Sequence, residues 1–170
     1  MRLTGKLEAE VPIDRFWAFL GDLNQFAGCV PGLESIEQVD DSTFNGVIGA
    51  RVGPVTSRFA FRATIAERRE PEWMVVTVDG AESATASKMG AKITLALQES
   101  GERRTSLAYE AHVSLSGKLA IMGEMVIRAT AGVLLDEFAD RMRRRLEGTP
   151  LDARSEGGLL RRGLRRITGG

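Results

Sequence analysis

Two side chains in this sequence are of types that do covalent or acid–base chemistry. Cys29 is the only cysteine and lies in the stretch GCVPG (28–32), and His112 is the only histidine. A cysteine between glycines can be a nucleophile, a redox thiol or part of a tight structural turn. No base is near Cys29 in the sequence, and Pro31 followed by Gly32 is typical of a stiff turn. We therefore interpret Cys29 as a packed, inert thiol.

Neither residue belongs to a recognisable catalytic or metal-binding pattern. His112 falls on the polar side of an alternating segment, which favours a solvated histidine. No Cys or His pair has the spacing of metal ligands, and no glycine-rich stretch continues into the Gly-Lys-Ser/Thr of a phosphate-binding loop. The sequence predicts a protein that is not an enzyme, with no metal site and no covalently bound cofactor.

Length and charge predict one domain followed by a tail of different character. The chain has 170 residues, 43% of them hydrophobic, which is enough for one sizeable core. Residues 1–140 hold 14 basic and 20 acidic side chains, whereas residues 141–170 hold nine arginines and three acids. No secretory signal or membrane-spanning run is visible, so we expect a cytoplasmic protein. The basic tail favours an anionic partner.

The order of predicted elements is typical of an α+β fold. Residues 2–11 alternate as a strand, Pro12 suits the first turn of a short helix, and a second short helix follows at 22–27. Residues 33–116 then alternate as about six antiparallel strands with one dry face. Gly117 to about Leu146 has the period of one long helix. The sequence predicts a curved antiparallel sheet of about seven strands wrapped around that helix.

Small residues on the dry face predict a cavity between sheet and helix. Gly46, Ala50, Ala63, Ala91 and Ala111 are too small to close that space. Ile121, Met122 and Met125 lie off the central stripe of the long helix, and either pack under loops or form a flexible ligand portal. The predicted ligand-binding residues are Trp17, Phe59, Phe61, Met89, Ile93, Tyr109, Met122, Met125 and Val126.

The C-terminal residues have the pattern of a short basic amphipathic helix. One side carries Leu159, Leu160, Leu164 and Ile167, and the other carries Arg161, Arg162, Arg165 and Arg166. We predict a domain over 1–147, a flexible linker over 148–158 and a tail over 159–170 that contacts an anionic membrane surface. A disordered basic end is the alternative. Nucleic acid is disfavoured, because the tail has no aromatic stacking groups and the body is acidic.

Three stretches resemble a known family. They are FWAFLGDLNQFAGCVPGLESIE (16–37), RVGPVTSRF (51–59) and LSGKLAIMG (115–123). Together with the element order over about 1–146, they resemble the CoxG family of carbon monoxide dehydrogenase subunits, within the START-like (SRPBCC) helix-grip superfamily. On this resemblance, GCVPG is a family turn and not a nucleophile motif.

The resemblance implies that the protein assists an enzyme and is not itself catalytic. The family accompanies molybdenum hydroxylases such as CO dehydrogenase and is linked to their attachment to the cytoplasmic membrane. An apolar cavity that carries a quinone, menaquinone or ubiquinone, would fit electron delivery to the respiratory chain. We expect a carrier or membrane-recruitment adaptor, peripheral on the inner face of the cell membrane. A polyketide-cyclase-like enzyme and an assembly scaffold with a filled cavity are the alternatives.

Overall fold

A computed structural model describes residues 1–148 of the chain. Its strands and helices follow one another in the predicted order. They are β1 (Arg2–Ala9), α1 (Ile13–Gly21), α2 (Leu23–Ala27), β2 (Leu33–Asp40), β3 (Thr43–Val52), β4 (Val55–Arg69), β5 (Trp73–Glu82), β6 (Ser87–Gly101), β7 (Arg104–Ser116), a 3₁₀ turn (Lys118–Met122) and α3 (Glu124–Leu146).

The seven strands form one antiparallel sheet in the order β1-β7-β6-β5-β4-β3-β2. Strands β2 to β7 are neighbours in sequence and in space, and β1 pairs with the last of them. The register matches the predicted dry face, because Phe61 and Met89 both pair with Gly80 between them. The predicted fold class, a helix-grip α+β fold with two short helices after β1, is confirmed.

The long helix starts later than the sequence predicts. We expected one helix from Gly117, but α3 begins at Glu124 and a separate 3₁₀ turn precedes it. Gly117 and Gly123 have φ angles of 87° and 92°, in the left-handed region that glycine tolerates and a helix cannot use. The apolar spacing over 117–123 is therefore not an α-helical stripe, and this part of the prediction is wrong.

The core is concentrated at one end of the molecule. We call this the packed end: α1, α2, the C-terminal half of α3, and the parts of β1, β6 and β7 they cover. Its buried cluster consists of Ala9, Val11, Phe16, Phe19, Cys29, Leu97, Leu107, Met142 and Leu146. Phe26 and Phe138 meet edge to face with ring centroids 5.4 Å apart. These contacts fix the C-terminal half of α3 on the sheet.

The GCVPG turn belongs to the packed end. The Cys29 thiol is 0% exposed and donates to the Gln25 carbonyl oxygen at 3.5 Å. Gly32 has a φ of 80°, and its carbonyl accepts from the Gly49 N–H at 2.8 Å. A Cβ at Gly32 would fall onto the Gly49 carbonyl oxygen, so the turn needs glycine for two separate reasons.

The opposite end of the molecule is loosely covered. We call it the open end: residues 51–56 of the β3–β4 turn, 82–88 of the β5–β6 turn and 116–126 between β7 and α3. The Lys118 N–H donates to the Thr85 carbonyl at 3.2 Å, and the Leu119 N–H donates to Ser87 Oγ at 3.1 Å. These bonds attach the 3₁₀ turn to the β5–β6 turn.

Candidate ligand-binding site

Three predicted residues form a floor on the concave face of the sheet. A Cβ on Gly80 would lie 3.5 Å from Met89 Cε and 3.6 Å from Phe59 Cδ1, so both side chains reach the Gly80 backbone. The Phe61 ring lies over Gly46, where a Cβ would come within 2.6 Å of Phe61 Cζ. Each glycine leaves room for an apolar side chain to lie flat on the sheet. Phe59 is buried, whereas Phe61 and Met89 are half-buried.

Ile93 and Tyr109 continue this face toward β1. Ile93 pairs with Ala111 across β7 and with Val76 across β5. Tyr109 pairs with Gly5, and its ring covers that glycine, where a Cβ would come within 2.5 Å of Cε1. Burial raises the pKa of the Tyr109 hydroxyl, and the carboxylate of Asp136 on α3 raises it further. Tyr109 is therefore close enough to α3 for the charge of Asp136 to affect its ionisation.

The remaining predicted residues lie away from this floor. Met122 and Val126 meet the β3–β4 turn, where a Cβ at Gly53 would lie 2.6 Å from Met122 Cε and 3.7 Å from Val126 Cγ1. Met125 is 86% exposed. Trp17 packs against the core cluster of the packed end. The structure thus separates the nine predicted residues into a floor, a contact with the β3–β4 turn, one exposed residue and one core residue.

Two buried polar residues on the concave side were missed by the sequence analysis. The Glu82 carboxylate is 7% exposed and accepts from the backbone N–H of Thr85 at 3.0 Å and from the Thr85 hydroxyl. Ser57 Oγ is buried and has no hydrogen-bond partner among residues 1–148. Ser57 falls on the inward series of β4, so strict alternation would have placed it there. Glu82 ends its strand, where alternation gives no signal.

The outer face of the sheet carries a separate depression. It has a volume of about 460 Å³ and is open to solvent. Six of its ten lining residues face outward, including Arg62, Asp79 and Lys88, and the other four, including Phe61 and Met89, belong to the inward series. The outward-facing residues of its lining distinguish it from the space that the sequence predicts between the sheet and the helix.

Neither Cys29 nor His112 belongs to the floor formed by Phe59, Phe61 and Met89. His112 is exposed on the outer face, with Nε2 2.7 Å from Glu110 Oε1. Hydrogen bonds from Arg2 first, and then from His112, lower the pKa of the Glu110 carboxyl. Burial raises the pKa of the Cys29 thiol, against the opposing charges of Arg145 and Arg141. Residues 1–148 contain no group of three His, Cys, Asp or Glu side chains suited to a metal ion.

The predicted membrane-contact residues, Leu159 to Ile167, lie outside the described residues, as does all but the first residue of the predicted linker. Within residues 1–148, none of the helices has the length and apolar character needed to span a bilayer.

A comparison with protein families identifies the family of this chain. The family model for CoxG, a subunit of carbon monoxide dehydrogenase, matches residues 5–147. The chain belongs to the CoxG family. This confirms the family that the quoted stretches resemble, and the match covers α3, strands β2 to β7 and β1 from residue 5 onward. A comparison with curated proteins gives no match.

Solved structures of START-like proteins share the fold of this chain. A conserved protein from Geobacillus kaustophilus superposes with a TM-score of 0.79 at 17% identity, covering 86% of this chain and 95% of that one. A START superfamily protein from Mycobacterium smegmatis gives 0.67 at 11% identity, covering 86% and 97%. The Zhui aromatase/cyclase from Streptomyces sp. R1128 gives 0.59 at 15% identity, covering 86% and 95%. At these identities the likeness shows the fold, and family and fold together suggest a ligand-binding role.

Proposed function

We propose that this CoxG-family protein carries a quinone, menaquinone or ubiquinone, on its concave face. In the same proposal it serves a cytoplasmic molybdenum hydroxylase such as CO dehydrogenase as carrier and membrane-recruitment adaptor. The observation that carries the proposal is the floor of Phe59, Phe61 and Met89 over glycines, beside an end of the molecule that its own side chains leave uncovered.

The physical argument rests on apolar surface that the fold does not bury. The inward side chains Phe61, Met89 and Ile93 are only half-buried, although they face the helix side of the sheet. Covering such surface is favourable by about 25 cal/mol for each Å² removed from water. A ring with an isoprenoid chain is a ligand of matching shape and polarity, because the floor offers flat, apolar contacts and few polar ones.

The proposal is tested by quinone uptake from a membrane. The full-length protein is mixed with vesicles that contain menaquinone or ubiquinone and is then separated from them by size exclusion. The quinone extracted from the protein fraction is quantified by mass spectrometry. We expect the wild-type protein to retain quinone in an amount stoichiometric with the protein. No quinone above that carried by an unrelated protein would overturn the proposal and favour a scaffold with a filled cavity.

A matched pair of substitutions on β6 locates the bound ligand. Ala91 is half-buried and faces inward, whereas Ala96 is exposed and faces outward on the same strand. Ala91→Leu is expected to reduce bound quinone severalfold because the larger side chain occupies the ligand's space. Ala96→Leu is expected to leave uptake unchanged. Equal uptake by both variants would place the ligand elsewhere.

An enzyme of the cyclase type is the second candidate. The likeness to the Zhui aromatase/cyclase supports it at the level of fold. On the concave side, Glu82 is a buried carboxylic acid and Tyr109 a half-buried phenol, which are groups that acid–base chemistry uses. Glu82 also accepts two hydrogen bonds within its own turn, a role that stabilises the turn without any chemistry. Turnover of a polyketide analogue that is lost in Glu82→Gln would favour the enzyme.

A further inference from the structure

We propose that the open end of the folded domain is itself a membrane-contact surface, which inserts Ile121 and Met125 into an anionic bilayer. The inference rests on the proposed carrier function and assigns to the domain a second contact, separate from the predicted tail. Ile121 is 82% exposed and Met125 is 86% exposed. The two side chains lie four residues apart in one segment, and exposed apolar patches commonly mark sites of contact with a protein or a membrane.

The fold holds these two side chains outward on a segment that is attached to the sheet. The preceding turn is attached by the hydrogen bonds from the Lys118 and Leu119 N–H groups, and the Leu119 side chain is buried. On the other side, Met122 reaches the β3–β4 turn. Leu119 and Met122 therefore point into the protein while Ile121 and Met125 point away from it. The same segment thus has one anchored side and one apolar free side.

The charge around the two side chains fits an anionic surface. The open end contains three cations, Arg51, Lys88 and Lys118, and no ion pair is found for any of them within residues 1–148. Both acidic residues of the open end have partners. Glu82 is buried and accepts a hydrogen bond from the Thr85 N–H, and Glu124 forms a salt bridge with Arg128 at 2.9 Å. The positive charge of the open end is opposite in sign to the net charge of residues 1–140 taken together, which carry an excess of acidic side chains.

A lipid bilayer is the occupant that these features favour. Apolar side chains flanked by cations are the pattern by which protein segments settle at the interface of anionic membranes. Contact at this end would also bring the β3–β4 turn, and with it the mouth of the concave face, against the lipid in which a quinone is dissolved. A protein partner at the same surface is the outcome that the experiment must separate.

The experiment places an environment-sensitive label on the full-length chain. Ile121→Cys and Val39→Cys are each labelled with a fluorophore whose emission shifts to the blue in lipid. Cys29 is 0% exposed and is not expected to react in the folded protein, which the unsubstituted chain checks. Val39 is the matched control, because it is an exposed aliphatic residue of 52% exposure on β2, far from the open end. Vesicles contain phosphatidylcholine with or without phosphatidylglycerol.

We expect a blue shift at position 121 with anionic vesicles and none at position 39. The double substitution Ile121→Ser with Met125→Ser should lower the vesicle partition coefficient by about tenfold, whereas Val39→Ser should not change it. A label at 121 that stays in water while the protein sediments with vesicles would overturn the proposal and leave the tail, or a protein partner, as the membrane link. An unchanged partition coefficient in the double variant would overturn it as well.

The outcome is separable from that of the carrier function. Quinone offered in detergent micelles requires no bilayer, so Ile121→Ser, at a residue outside the predicted ligand-binding set, should take up as much as the wild type. Insertion of the 121 label by a chain that binds no quinone from either source would support the membrane contact and overturn the carrier function. Loss of uptake from micelles in Ile121→Ser would instead place Ile121 in the ligand site and overturn the membrane contact.

Discussion

The packed end and the open end of this domain are built on the same sheet, but their side chains are used differently. At the packed end, Phe16 and Met142 are 0% and 1% exposed, and α1, α2 and α3 all contribute to one cluster. At the open end, Ile121 and Met125 are mostly exposed, and only the 3₁₀ turn and the start of α3 overlie the sheet. Of the 13 buried apolar residues in the described part of the chain, nine belong to the cluster at the packed end, whereas Leu119 is the one within the open end.

This difference indicates that the two halves of α3 have different roles. The C-terminal half of the helix is held by the core, so the N-terminal half is supported without having to pack tightly itself. Regions with few buried apolar contacts are those that open at low free energy, and binding sites are commonly found there. Ligand access at the open end therefore need not disturb the core.

The largest expected effect contrasts Phe16 of the packed end with Phe61 of the floor on the concave face. Phe16→Ala should lower the free energy of unfolding by about 3–5 kcal/mol, because it leaves a cavity in a fully buried site. Phe61→Ala should cost about 1–2 kcal/mol, because that ring is half-buried and its site stays accessible to water. Urea denaturation followed by circular dichroism measures both. Losses of equal size would show that the floor is packed as tightly as the core of the packed end.

The next effect contrasts two glycines with positive φ. Gly123→Ala at the open end should cost about 1–3 kcal/mol for its backbone conformation alone, because φ 92° with ψ 149° is nearly restricted to glycine. Apart from its chain neighbours, no atom lies within 4 Å of the position that its Cβ would take. Gly32→Ala at the packed end should cost more, because its positive φ is joined by a collision with the Gly49 carbonyl oxygen. Thermal and urea unfolding compare the two variants. A smaller loss at Gly32 would mean that the turn is free to move from β3.

The sheet could be predicted from the sequence because a single pattern, the alternation of apolar and polar residues, determines which side chains face inward. Alternation with period two fixes which residues of β4, β6 and β7 face inward, and the register of Phe61 and Met89 on Gly80 follows that signal. The start of α3 could not be predicted, because apolar spacing over 117–123 imitates a helix while two glycines turn the backbone away from it.

The candidate site was predicted less completely, for a physical reason. Trp17 lies on a short helix with apolar residues on most sides, and the sequence does not decide which side meets the core. Ser57 and Glu82 are polar, and a search for an apolar lining passes over them. The inward position of Ser57 follows from alternation along β4, whereas the burial of Glu82 depends on contacts at the end of its strand, which periodicity does not encode.

The smallest expected effect is spectroscopic and concerns Tyr109, which lies between the two ends of the concave face. It is the only tyrosine in the chain, so alkaline titration at 295 nm reports its ionisation alone. Burial disfavours the phenolate, so the pKa in the folded protein should lie above the ordinary value for tyrosine and return to it in urea. Asp136→Asn should lower the pKa slightly, because it removes a negative charge that opposes ionisation, and this change should be smaller than the effect of burial. Asp41→Asn, at an exposed carboxylate of the β2–β3 turn, is the control and should leave the titration unchanged. A bound quinone should raise the pKa further if it covers the ring, because it would exclude the water that stabilises the phenolate. An ordinary pKa in the folded chain would instead mean that Tyr109 is solvated, and that the open region extends farther along β7 toward the packed end.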